Sequence, residues 1–209
     1  MINKKGLLLV VSGPSGTGKG TICKDIVAKH EDINLSISAT TRNPRVGEVE
    51  GKSYFFKTKE EFEAMVDRGE FLEHAMIYDN YYGTPKKAIF DELDMGRDVI
   101  LEIEMQGAMQ IKEVYPQAVF IFVLPPSLQE LRNRIVGRGT ETEEQIEKRF
   151  NSAYDEIKLL GDYDYFIFNN IVEKSSEEIL NILEVEKNKV SRYKKDILDM
   201  FEKEIKNVK

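Results

Sequence analysis

One passage constrains this chain more than any other: residues 6–29, GLLLVVSGPSGTGKGTICKDIVAK. Its opening apolar run is stopped by glycines and reads as a strand buried on both faces. The segment after the glycines carries Ile22, Ile26 and Val27 at helical spacing. The unit is therefore strand, glycine loop, helix, which is the setting in which a phosphate-binding loop works. Gly13, Gly18 and Lys19 fall on the pattern G-x-x-x-x-G-K-[ST], but Gly20 stands where a hydroxyl is expected and Thr21 follows one position late. The loop Gly13, Pro14, Ser15, Gly16, Thr17, Gly18, Lys19, Gly20 and Thr21 is expected to hold a nucleotide's phosphates: from Ser15 to Thr21 the backbone N–H groups point inward around one, and the helix N-terminus adds positive potential. Lys19 then reaches the β- and γ-oxygens. With no hydroxyl at position 20, an accompanying Mg²⁺ is expected to be held by phosphate oxygens and water.

Three further apolar runs, 98–104 (DVILEIE), 118–127 (AVFIFVLPPS) and 165–170 (YFIFNN), alternate with helical segments. That order predicts a parallel sheet with helices on both faces, a three-layer α/β/α fold. The 209 residues suit a single domain. Its core is expected at about 1–33, 96–125 and 158–209, with an inserted subdomain at about 34–95 and a charged helical lid at about 126–157. Inside the insertion, Thr58 and Glu61 carry a capping-box spacing ahead of a helix. In the tail, Val190, Tyr193, Ile197, Phe201 and Ile205 form a helical stripe expected to pack against the core.

Composition narrows the partners. With 37 acidic against 30 basic side chains the formal charge is -7, which argues against nucleic acid. The run GLLLVV is too short to span a bilayer and no signal peptide is read, so no membrane partner and a cytoplasmic location are expected. Cys23 is the one cysteine; no internal disulfide can form, and a buried helical side chain is the expected role.

The stretch SATTRNPRVGEVEGKSYFF sets Arg42 and Arg45 three apart, with Ser38 before and Tyr54 after. Two guanidiniums with hydroxyls nearby suit a phosphate dianion. Together with GPSGTGKGT, FLEHAMIYDNYYGT, LEIEMQGA, LPPS and GRGTETEEQIEKRF, in that order along residues 6–170, this stretch resembles the guanylate kinase family. The resemblance implies a P-loop fold with a GMP-binding insertion and a lid, and Mg²⁺-dependent transfer from ATP to GMP. It implies Arg42, Arg45, Tyr54 and Tyr82 as ligands of the GMP phosphate, and Ser38, Glu73 and Thr84 as guanine contacts. The chemistry agrees for Glu73: guanine offers two adjacent donors that a carboxylate accepts in parallel, whereas adenine would turn an acceptor toward it.

Glu102 and Glu104, two apart on the expected strand, are predicted to share a face at the acceptor site, near the guanine amino group, the metal or Lys19. The family often has aspartates there. Among lid residues, Arg138 and Arg149 match the arginines that stabilise the moving phosphoryl group, alongside Lys19 and Arg45. Arg134 is a further donor-side candidate, and Asn169 falls where the family meets the adenine end of ATP, followed here by Asn170 instead of the more usual Asp. The resemblance leaves a monomer and a homodimer both open. Two alternatives stand beside it: a non-catalytic phosphopeptide-binding module of the same fold, and a kinase for another nucleoside monophosphate.

Overall fold

The strand β1 (Leu8–Ser12), buried along its whole length, forms the middle of a five-stranded sheet in a computed structural model of the chain. The structure describes residues 4–77, 79–137 and 143–208, without the side chains of residues 145, 148, 149, 207 and 208. All pairings in this sheet are parallel, in the order β2 (Ile33–Leu35), β7 (Asp98–Glu102), β1, β8 (Val119–Leu124) and β9 (Tyr165–Phe168). The two-residue period of β1 divides the core. Leu9 and Val11 face Ile22, Cys23 and Ile26 of α1 (Lys19–Lys29) and Ile179 and Leu183 of α7 (Val172–Glu186). Leu8 and Val10 face Ile89 and Leu93 of α3 (Lys86–Asp94) and Ala108 and Ile111 of α4 (Met105–Val114). Apolar residues on both faces are what a central parallel strand requires, because helices cover it twice. Cys23 is fully buried, and burial pushes its thiol up to about 12.

A second, four-stranded sheet runs β4 (Phe55–Phe56), β3 (Ala39–Thr40), β6 (Asn80–Pro85) and β5 (Phe71–Ile77). Its helix α2 (Lys59–Asp67) begins with the anticipated capping box, Thr58 and Glu61 each accepting from the other's backbone N–H. Phe62 of α2 stacks on Phe71 and Tyr81 with ring centroids 4.4 and 5.3 Å apart, which fastens the helix to the sheet. Beyond β8 lie α5 (Leu128–Val136) and α6 (Glu143–Ile157), joined through Leu131, Ile135 and Ala153.

Three expectations need correcting. The strand at 98–104 stops at Glu102, and Glu104 is the N-cap residue of α4, so the two glutamates are not strand neighbours on one face. The core sheet has an edge strand, β2, that the sequence did not announce: three residues with only Ile33 buried carry no readable run. The tail helix α8 (Val190–Val208) does not lay its stripe on the core. Tyr193 is buried, but Val190, Phe201 and Ile205 are 68%, 52% and 56% exposed. The start of α8 is tethered. There Arg192 donates to Glu186, and Tyr165 and Lys189 donate to the same carboxylate. Burial alone would raise Glu186, but those donors hold it down at about 2.

Candidate active site

The glycine loop leaves β1 at Gly13 and enters α1 after Gly18, with Lys19 as the first helical residue. Lys19 is buried and donates to the carbonyls of Gly13 and Pro14, so the loop wraps around its own ammonium. Thr17 ties the loop internally by donating to Pro14 O at 2.9 Å. Ser15 and Gly20 are half-buried and Thr21 is exposed. From beneath, Asn169 donates through Nδ2 to Thr17 O at 2.7 Å and accepts from Ser175 Oγ at 3.2 Å. Arg134 bridges the same region, donating to Asn169 O at 3.1 Å and to Thr17 O at 3.4 Å. Asn169 and Arg134 therefore hold the loop's outer side, away from the cleft described next.

That cleft, of ≈ 330 Å³, opens between the two sheets. Lys19, Ser38, Tyr54, Glu73, Tyr82, Glu102 and Glu104 all line it, although they come from segments scattered over the first half of the chain. Glu73, on β5, is buried and accepts from Thr84 Oγ1 on the neighbouring β6 at 2.6 Å. Burial raises its carboxyl above the usual range, and the bond from Thr84 opposes the rise. Its place depends on Gly107 of α4: a Cβ there would lie 2.8 Å from Glu73 Oε2. Gly107 also lines the cleft and was not legible beforehand, since one glycine in a helical segment carries no sign of what leans on it.

At the mouth, Arg42 lies over the Tyr54 ring at 5.5 Å and donates from Nε to Tyr82 Oη at 3.3 Å. Its guanidinium also meets Glu48, with 2.8 and 3.0 Å bonds to the two carboxylate oxygens. Glu48 raises the Arg42 pKa, and Arg42 lowers that of Glu48. Glu48 also accepts from the backbone N–H of Arg45 at 2.7 Å. A carboxylate thus sits where an arginine clamp would receive an anion, and it organises the turn that carries both arginines. Arg45 itself is exposed and does not line the cleft. Arg138 lies outside the described residues, and so does the side chain of Arg149, whose backbone is in α6.

The Glu102 carboxylate reaches the loop at Gly20, and Glu104 lines the same cleft. Crowding by protein raises Glu102, opposed by Lys19, Lys24 and the Gly20 N–H, while Glu104 adds to the rise. Among the described residues no group of three or more His, Cys, Asp or Glu could hold a metal unaided. The oxygen donors at hand suit a hard cation that retains water and nucleotide oxygens, as Mg²⁺ does.

The arrangement is a cationic phosphate loop and a Glu–Thr pocket with an arginine–tyrosine mouth, facing each other across one cleft. The sequence model of the guanylate kinase family matches residues 5–186. The chain is 66% identical over 205 residues to the guanylate kinase of Clostridioides difficile (strain 630), covering 98% of this chain and 100% of that protein. It is 54% identical over 204 residues to the guanylate kinase of Caldanaerobacter subterraneus subsp. tengcongensis, covering 98% and 99%. The crystal structure of guanylate kinase from Anaplasma phagocytophilum superposes with a TM-score of 0.73 at 36% identity, covering 90% of this chain and 89% of that one.

Proposed function

The chain belongs to the guanylate kinase family, and on that footing we propose how its residues divide between the two substrates. The reaction is ATP plus GMP giving ADP plus GDP, in both directions. The donor side is the loop Gly13–Thr21, with Arg134 and Asn169 keeping it in shape for ATP. The acceptor side is Arg42, Arg45, Tyr54 and Tyr82 for the GMP phosphate, with Ser38, Glu73 and Thr84 toward the guanine end and Glu102 and Glu104 along the cleft wall. One observation carries this division: Lys19 of α1 and Glu73 of β5 line the same cleft, so a base held at Glu73 presents its phosphate toward the donor.

In the transfer, an oxygen of the GMP phosphate attacks the γ-phosphorus of ATP. The new O–P bond forms as the bond from the γ-phosphorus to the β-bridging oxygen breaks, and ADP leaves with that electron pair. The nucleophile is already an anion, so no general base is required, and positioning and charge neutralisation carry the rate. Lys19 follows the charge from the donor side, while Arg45, Arg138 and Arg149 complete the shell around the moving group. GMP displaces Glu48 from Arg42, because a phosphate dianion offers the guanidinium a stronger bidentate partner. Mg²⁺, when bound with ATP, would supply neutralisation of phosphate charge, and Glu102 and Glu104 would hold its water shell.

The finer partner and location assignments belong to the same reading. Small-molecule substrates, with neither nucleic acid nor membrane as partner, fit the net charge of -7. No described helix is long and apolar enough to cross a membrane; a cytoplasmic enzyme suits this. A homodimer is favoured over a monomer by α8. A second copy would cover the apolar side chains that Val190, Phe201 and Ile205 leave exposed on α8. Sedimentation velocity should show a dimer that Phe201→Glu converts to monomer; a monomeric parent chain defeats the assignment.

ADP release measured across GMP, AMP, CMP, UMP and dTMP tests the substrate reading, with turnover expected for GMP. Activity confined to AMP would overturn the Glu73 assignment, and turnover of none would favour a phosphopeptide-binding module.

A further inference from the structure

Three buried oxygens near the start of the glycine loop take no part in the transfer scheme. Ser12 Oγ, Tyr163 Oη and Glu156 Oε2 are each shielded from solvent and make no hydrogen bond among the described residues. Buried polar side-chain atoms are normally paired, and an unpaired one costs stability. The fold brings these three to one place. Ser12, fully buried, is the last residue of β1, directly before Gly13. Its partner on β8 is Phe122, and the Tyr163 ring packs edge-on against Phe122 with centroids 4.8 Å apart. Ile157, the last residue of α6, joins the same cluster, and Glu156 immediately precedes it. Burial pushes the Tyr163 hydroxyl up to about 12; Ser12 opposes the rise, and Asp162, Glu156 and Glu104 add to it. Burial raises the Glu156 carboxyl as well, with Glu104 adding and Lys19 opposing.

The three side chains are complementary. A carboxylate only accepts, and each hydroxyl both donates and accepts. If Ser12 Oγ–H donates to Tyr163 Oη and Tyr163 Oη–H donates to Glu156 Oε2, all three are satisfied at once. The element whose movement would complete that chain is α6. It packs on α5 through Ile146 and Ala153 and meets the core at Ile157. In turn α5 rests on the glycine loop, where Arg134 donates to Thr17 O. A shift of α5 and α6 over bound substrates therefore moves Glu156 against Ser12 and Tyr163. We propose that these residues are a latch: with both substrates bound, the chain Ser12–Tyr163–Glu156 closes and fixes the end of α6 to the strand end from which the glycine loop starts. Glu156 and Tyr163 are thereby positioning residues, acting through α6 and the loop and not on the phosphates themselves. The inference rests on the two-substrate reading given above.

Calorimetric titration of GMP into the full chain, alone and saturated with ADP, tests it without turnover, and melting of the free chain separates a latch from a structural bond. The parent should bind GMP more tightly once ADP is present. Tyr163→Phe keeps the ring on Phe122 and removes the hydroxyl; Glu156→Gln keeps the shape and removes the charge. Each should bind GMP alone as the parent does and bind it about tenfold more weakly than the parent when ADP is present. The double variant should lose about the same tenfold and not a hundredfold, because either change breaks the one chain. Free Tyr163→Phe should melt at the parent's temperature or above it, since the lost hydroxyl has no partner there. A lower melting temperature would mean that the hydroxyl is already bonded in the free chain, which overturns the latch. Losses that multiply in the double variant overturn it too, as does a parent whose GMP affinity ADP leaves unchanged. Failure of the parent to bind GMP at all would overturn the two-substrate reading and this inference with it.

Discussion

At Glu73 binding and stability pull in opposite directions. Burial raises its carboxyl, so the folded chain holds that proton more tightly than the unfolded chain does. For a carboxyl shifted upward, stability is fully present below the unfolded pKa and is lost as pH rises through the folded one. Glu73→Gln should therefore raise the melting temperature of the ligand-free protein near pH 8, with the gain vanishing near pH 4, where both side chains are neutral. The same variant should lose GMP, because the amide nitrogen turns a donor toward a donor edge; melting curves at the two pH values and a GMP titration check both halves. Gly107 fails in a different way. Gly107→Ala puts a Cβ 2.8 Å from Glu73 Oε2, and the buried carboxylate, held by Thr84, has little freedom to retreat. Steady-state kinetics should show KM for GMP raised about tenfold, equivalent to about 1.4 kcal/mol, with KM for ATP unchanged. A matching rise for both substrates would mean that the whole cleft had moved.

At the scale of elements, local signals behaved differently from those that need a partner. The capping box of α2 formed as its spacing foretold, because Thr58 and Glu61 satisfy each other's backbone within one turn. Thr58→Ala should cost about 1 kcal/mol, read as a lowered melting temperature with transfer chemistry unchanged. The stripe of α8 is as regular, yet beyond the half-buried Ile197 its Phe201 and Ile205 lie in solvent, because helical spacing says which residues share a face and nothing about what covers it. The strand end at Glu102 is similar. Period-two reasoning carried the strand on to Glu104, but there the chain turns into α4, and Glu104 reaches the cleft as a helix N-cap residue.

For the molecule as a whole, the glycine loop belongs to the parallel sheet and the Glu73–Thr84 pair to the second sheet, so the cleft is assembled between two sheets. Arg45 is exposed outside the cleft, and α6 packs on α5 through Ala153 and, at its end, against Phe122 and Leu124 through Ile157. On the proposed division of roles, stabilising a phosphoryl group in the cleft requires Arg45 to approach it. Small-angle scattering should therefore give a smaller radius of gyration with ADP and GMP both bound than in the free protein. Equal radii would mean that no closure accompanies binding.

By itself the sequence determined the phosphate loop, the buried parallel strands and the kinds of side chain offered to an acceptor, because each is written in a short window: a glycine spacing, an apolar run, two arginines three apart. Tertiary structure alone decided that Glu73 leans on Gly107, that Glu48 occupies Arg42, that Asn169 props Thr17, and that Gly20 makes room for Glu102. Of these, three join residues from separate elements, and even Glu48 meets Arg42 only through the turn between them. Periodicity assigns a residue to a face; only the path of the folded chain gives it a neighbour.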